Sequence, residues 1–210
     1  MRLDADVLVI SAYFVLWALV HSLFASRTVK RAACRMLGPS TRRWYRVLYV
    51  LFAVVSVAPL PLLVAVSESR TLYSVSAPWS WMMVGGQVLA GAGVLWTVMR
   101  TSPKRFLGIA QLVEGESRPR PDLQVRGFYR LVRHPMYSFS IVLIWLTPQV
   151  SIALAALYGL MTVYFVVGSM HEERLLADEF GPAYERYRRS VPGFVPRPPF
   201  GSAGGMPGRG

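Results

Sequence analysis

The chain has 210 residues, enough for one domain, with 53% hydrophobic and only 16% charged residues and a formal net charge of +12. That balance is too apolar for an ordinary soluble domain, and the hydrophobic residues are gathered into long runs, which excludes a soluble globular enzyme and points to a bilayer. A single cysteine, Cys34, excludes an intrachain disulfide and a cysteine-rich metal site.

The first run, Val7 to Ala25, carries His21 as its only ionisable group. Before it stand Asp4 and Asp6 against Arg2, where a cleavable signal needs positive charge, so the run is read as a retained span near 6–25. His21 reads as an internally hydrogen-bonded residue rather than a catalytic one. The next runs, Val47 to Ser67 and Ser76 to Met99, carry no charge and predict spans near 47–67 and 77–99. Each approaches or exceeds the ~20 residues that a helix needs to cross a bilayer. Gly86 and Ala90 have the spacing of a close helix contact.

The basic residues are distributed by loop. Arg27, Lys30, Arg31, Arg35, Arg42, Arg43 and Arg46 follow the first run with no acid among them, and only Glu68 and Arg70 follow the second. After the third come eight bases, from Arg100 to Arg133, against Glu114, Glu116 and Asp122. This alternation places the first and third loops in the cytoplasm and the N-terminus outside. The charge therefore reports topology and contact with the lipid bilayer, not nucleic acid.

A fourth run, Ser138 to Met170, has 33 residues without Asp, Glu, Lys, Arg or His. One helix of that length would reach ~50 Å, and bases flank both ends, so a hairpin is expected. Thr147-Pro148-Gln149 marks its turn, giving short spans near 136–147 and 149–170. The fold class predicted is all-α, a polytopic membrane helical bundle of about five transmembrane helices. Gly181-Pro182 predicts a helix stop followed by a short cytoplasmic helix over Ala183 to Arg189. One domain over 1–191 is followed by a Pro- and Gly-rich disordered tail over 192–210.

A hairpin brings Arg133-His134-Pro135-Met136-Tyr137 and His171-Glu172-Glu173-Arg174 to the same membrane face. Ionisable groups at that depth are paired, snorkelling or functional. Arg133 offers a fork for a carboxylate, His134 a donor or acceptor near neutral pH, and Tyr137 a hydroxyl and a ring face. An interfacial belt accounts for the same residue types. Glu172 and Glu173 suit either a cationic ligand group or a pairing with Arg174. Tyr184 and Tyr187 share a helix face and suit either a pocket cover or packing at the membrane surface. The His and Glu spacing matches no known metal site, and no G-x-S-x-G, Walker A or G-x-G-x-x-G constellation appears.

The order Gly127-Phe128-Tyr129-Arg130-Leu131-Val132-Arg133-His134-Pro135-Met136-Tyr137, an apolar hairpin, Glu172-Glu173-Arg174-Leu175-Leu176, Phe180-Gly181, Tyr184, Tyr187 and Val191-Pro192 resembles the isoprenylcysteine carboxyl methyltransferase-like superfamily of membrane methyltransferases. The likeness covers about the last half of the chain. His21-Ser22-Leu23, Phe106-Leu107-Gly108 and Trp145-Leu146-Thr147-Pro148 resemble a bacterial branch of small members that includes methanethiol S-methyltransferases and nitrogen-oxide-associated membrane proteins.

The resemblance implies S-adenosylmethionine as methyl donor, with His134, Pro135, Tyr137, Glu172, Glu173 and Tyr187 binding it. Arg133, Glu173 and Arg174 become the candidate catalytic residues, and the acceptor is expected to be small or lipophilic: a thiol, a prenylcysteine-type carboxylate, a lipid amine or a quinone-like ring. Oligomeric state stays open. Sterol-type reductases have a similar segment and use NADPH, but commonly carry asparagine where Met136 stands. A non-catalytic membrane accessory protein is the third reading.

Overall fold

The computed structural model describes residues 2–38, 40–100, 109 and 122–197. Among them, α1 (Arg2–Ala25) is followed by α2 (Arg27–Leu37), α3 (Thr41–Val57), α4 (Pro59–Val66), β1 (Thr71–Ser74) and α5 (Trp79–Arg100). A 3-10 turn (Gly127–Arg130) leads to α6 (Pro135–Trp145), β2 (Gln149–Ser151), α7 (Ile152–Phe180) and α8 (Pro182–Ser190). The architecture is an all-α membrane bundle with one two-stranded clasp.

Four stretches are long and apolar enough to span: Ala5–Ala25, Thr41–Val66, Trp79–Arg100 and Ile152–Phe180. Side chains such as Leu19, Leu51, Leu89 and Val163 are mostly exposed, and their apolar character follows from lipid taking the place of protein neighbours. Helices α3 and α4 form the second of these stretches, meeting at Ala58 with Pro59 at the first helical position, where its missing N–H costs little.

The hairpin is present, but its arms are unequal where two short spans are expected. Helix α6 has 11 residues, ~16 Å, whereas α7 has 29 and continues past Met170 to Phe180. Leu175, Leu176 and Ala177 are good helix formers, so the charged cluster at 171–174 does not end the helix. The second arm also starts later than expected. Gln149–Ser151 is a strand, paired antiparallel with β1, and Ser151 caps α7 by accepting from the Leu154 N–H at 3.2 Å. Gly181, at φ +52°, ends α7, and Pro182 opens α8 as expected.

Contacts fix the directions of the helices. Ile10, Phe14, Leu60, Ala153 and Leu157 form the buried core where α1 meets α4 and α7. Further along, Ser22 meets Tyr164, so α1 and α7 run parallel. Tyr13 donates to the Ser56 carbonyl and Tyr45 to that of Phe24, so α3 runs back antiparallel to α1. Gly93 faces Phe139 and Gly86 faces Leu146, which sets α5 and α6 antiparallel. A Cβ at either glycine would lie 2.7 or 2.6 Å from those side chains, so the small-residue face of α5, with buried Ala90, packs within this bundle. The basic segment 27–46, the end of α5, the start of α6 and the end of α7 therefore share one face.

Candidate functional site

The site is assembled at that face by four segments. The 3-10 turn is entered through Gly127, at φ +64°, a left-handed conformation, and any Cβ there would overlap the Trp96 ring. Trp96, Phe128 and Phe139 continue from it as an edge-to-face series with centroids 4.8 and 4.9 Å apart. This packing holds the chain before Arg133 against α5 and α6. Pro135, fully buried, then starts α6 without needing an N–H partner.

Arg133 and His134 both reach Glu173 across the hairpin. Arg133 Nε and Nη2 donate to Glu173 Oε1 at 2.9 and 2.6 Å, and His134 Nε2 lies 2.9 Å from the same oxygen. His134 Nδ1 is 3.6 Å from Glu172 Oε2, a charge contact too long for a hydrogen bond. His134 is buried, and burial alone would lower its pKa. The hydrogen bond to Glu173 and the charges of Glu172 and Glu173 outweigh that and raise it above its ordinary value.

Arg133 also ties the hairpin to the C-terminal segment. Its Nη1 donates to the carbonyls of Arg188 and Val191, which close α8. Its backbone N–H donates to the Pro192 carbonyl at 2.8 Å, and that of His134 to the Gly193 carbonyl at 3.0 Å. Ser138 Oγ donates to the Phe194 carbonyl at 2.7 Å, and the Phe194 ring packs beside His134. Residues 192–194, assigned to the tail from sequence, thus form one wall of the site in a strand-like pairing. Residues 198–210 and Phe106-Leu107-Gly108 lie outside the described residues.

Tyr137 stacks between His134 and Phe165, with centroids 5.8 and 5.6 Å away, and its hydroxyl faces Gly168. On α8, Tyr187 donates to the Tyr129 carbonyl at 2.7 Å, locking the 3-10 turn to the C-terminal helix. Tyr184 is 1% exposed, and its hydroxyl has no hydrogen-bond partner among the described residues. Burial first, and then the Glu173 charge, push that phenol up to about 12, so it is a neutral donor at physiological pH.

The structure thus brings Arg133, His134, Pro135, Tyr137, Glu172, Glu173 and Tyr187 together. Arg174 stands apart. It is exposed, one position beyond Glu173 and so about 100° round the helix, and takes no part in the network among the described residues. Sequence reasoning passes over Ser138, Phe194 and Gly193, which act through backbone and ring contacts and carry no motif. His21 lies elsewhere, with Nε2 2.6 Å from the Tyr49 hydroxyl and its ring stacked on Trp17, a satisfied intramembrane histidine.

Among known proteins, the chain is similar to methanethiol S-methyltransferases. It is 28% identical to that of a Pseudomonas species over 91% of this chain and 74% of the relative. Identity to the Pseudomonas deceptionensis protein is 26%, covering 93% and 73%, and to that of Mycobacterium tuberculosis 29%, covering 87% and 75%. No family model matches the chain, and no solved structure matches it. The resemblance to the methanethiol S-methyltransferase branch is borne out by these relatives, along most of the chain and not only its second half.

Proposed function

We propose that this chain is an integral membrane methyltransferase that moves a methyl group from S-adenosylmethionine to a small thiol at the face carrying the Arg133–His134–Glu173 cluster. The observation that carries the reading is the convergence of that cluster with Glu172, Tyr137 and Tyr187 in a chain similar along about nine-tenths of its length to proteins named methanethiol S-methyltransferase.

The residues present suit such a donor. Glu172 is half exposed beside a buried histidine, so its carboxylate is available to a cationic group such as a sulfonium or ammonium. The rings of His134, Tyr137 and Phe165 are stacked on one another, which fixes Tyr137 in place beside Glu172. The buried Tyr184 hydroxyl has no hydrogen-bond partner among the described residues, and a polar ligand atom would supply one.

S-Adenosylmethionine, when bound, supplies an electrophilic methyl on sulfonium, which the thiol sulfur takes as the old S–CH3 bond breaks, its electron pair neutralising the sulfonium and the thiol proton passing to water. The chain's part is binding and orientation. Glu172 would hold positive charge, and Tyr137 and Tyr187 would flank the donor. Arg133 and Glu173 act by fixing His134, since Arg133 and His134 converge on one oxygen of the Glu173 carboxylate. Arg174, exposed, is the candidate for orienting an anionic group. Pro135 keeps the start of α6 close to the site. An apolar route from the bilayer suits a small thiol, which partitions into lipid.

The test is calorimetric titration of detergent-purified protein with S-adenosylmethionine and, separately, NADPH, followed by a headspace assay for the methylated thiol. Binding of the first alone, weakened by Glu172→Gln, with thioether formed from methanethiol, is expected. NADPH binding instead would replace this reading with a reductase. Folded protein that binds neither would leave an accessory role.

A further inference from the structure

We propose that the cleft between α2 and α3 is a binding site for the phosphate headgroup of an anionic phospholipid. The inference is independent of the methyltransferase reading. A cavity of about 920 Å³ lies there, lined by Arg27, Lys30, Arg31, Arg35 and Arg42 together with Thr28 and Cys34. Segment 26–46 contains no Asp or Glu.

Helix α2 is built at an electrostatic cost. Arg27, Arg31 and Arg35 recur every four residues, so they stack along one face, where like charges four apart repel. Gathering bases on one face is common to interfacial helices, but here that face lines a cavity instead of open solvent. Alignment into a cavity, with a hydroxyl at the N-terminal end, matches an anion with several acceptor oxygens, and guanidinium forks fit phosphate oxygens in pairs.

The choice of a lipid over a free phosphate rests on the adjoining space. A second cavity of about 210 Å³ shares Lys30 and Arg42 with the first and is walled by Phe24, Ala25, Tyr45, Arg46 and Tyr49, so bases line its mouth and aromatic rings its depth. Tyr45 and Tyr49 follow Arg42 by one and two turns along α3, so this space runs from the basic face toward the bilayer interior. A ligand that occupies both has an anionic head and an apolar continuation. The other end of α2 presents Met36 and Leu37, almost fully exposed, which suits a helix lying at the headgroup boundary.

The experiment follows the thermal midpoint of protein purified in neutral detergent. It is titrated with short-chain phosphatidylglycerol, with phosphatidylcholine of the same chains, and with inorganic phosphate. Phosphatidylglycerol is expected to raise the midpoint saturably, and the other two to leave it in place. R31Q/R35Q is expected to weaken the phosphatidylglycerol effect about thirtyfold at low salt, from two lost charges. R186Q/R189Q, which removes two exposed arginines of α8, is expected to leave it unchanged. If R31Q/R35Q fails to fold, R27Q/R35Q replaces it. Equal effects of the two lipids, full retention in the α2 variant, or equal loss in the α8 variant would overturn the proposal. A match between phosphate and phosphatidylglycerol would overturn it in favour of a soluble phosphate site.

Discussion

Arg133 and Glu173 stand 40 positions apart, yet two N–H groups of the one converge on a single carboxylate oxygen of the other, at 2.9 and 2.6 Å. The same arginine closes the carbonyl end of α8, so one side chain joins both arms of the hairpin to the C-terminal helix. Removing it would strand a carboxylate and two carbonyls. Arg133→Ala is expected to cost about 3 kcal/mol, and Arg133→Lys, with no fork to replace these bonds, more than half of that. Unfolding titrations in mixed micelles would measure both. A Lys variant as stable as the parent would refute the bridging role.

Glu172 and Glu173 are adjacent but differ in task. Glu172 is the more exposed and reaches His134 and Tyr137 through long contacts. Glu172→Gln is therefore expected to change stability by no more than about 0.5 kcal/mol while raising the KM for S-adenosylmethionine about tenfold. Glu173→Gln is expected to lower stability by about 2 kcal/mol. Parallel melting and kinetics on the two variants separate the roles.

His134 makes stability depend on pH. Its folded-state pKa is raised above the ordinary 6.5 by the two glutamates despite burial. The folded state thus holds the proton more tightly than the unfolded chain. The contribution is complete below pH 6.5 and is lost as pH rises through the raised folded value. Thermal midpoints are expected to fall across that interval in the parent protein, and the fall to be smaller in His134→Gln. A flat parent profile from pH 6 to 9 would contradict the ion pair.

Two glycines are expected to resist substitution for different reasons. At Gly93 a Cβ would meet the Phe139 ring at 2.7 Å, so alanine pushes α5 and α6 apart. At Gly127 the Trp96 ring fills the Cβ position and the backbone is left-handed, so alanine meets both overlap and strain. Each is expected to cost at least about 2 kcal/mol. Gly85→Ala, with open space around it, is expected to be neutral. Trp96→Ala should restore part of what Gly127→Ala loses, but none of what Gly93→Ala loses.

Much of this was legible in the residues because a bilayer leaves few options. Charge-free runs fix the spans, and Pro148 between two basic flanks fixes the hairpin. The meeting of the two clusters at one face then follows from topology, whereas the pairing of His134 with Glu173 comes from the packing of the helices. Other features leave little trace in hydropathy. The strand Gln149–Ser151 forms because β1 lies opposite, and neither three- nor four-residue segment shows a period. Helix α2 hides its order under its charge, since seven bases between residues 27 and 46 read as a loop. The docking of Pro192–Phe194 is written in backbone carbonyls, which composition does not report.

The brevity of α6 has a consequence for how the chain is made. Its 11 residues are too few to partition into lipid unaided. It packs against α5 through Gly86 and Gly93, and its far end is held by the clasp that joins β2 to β1. Biogenesis therefore has an order built into it: α5 must already stand in the bilayer before α6 has anywhere to go. A ribosome stalled just after Trp145 would carry a nascent chain with His134 present and its glutamate partners not yet synthesised, so the site matures only when the last third of the protein has been translated.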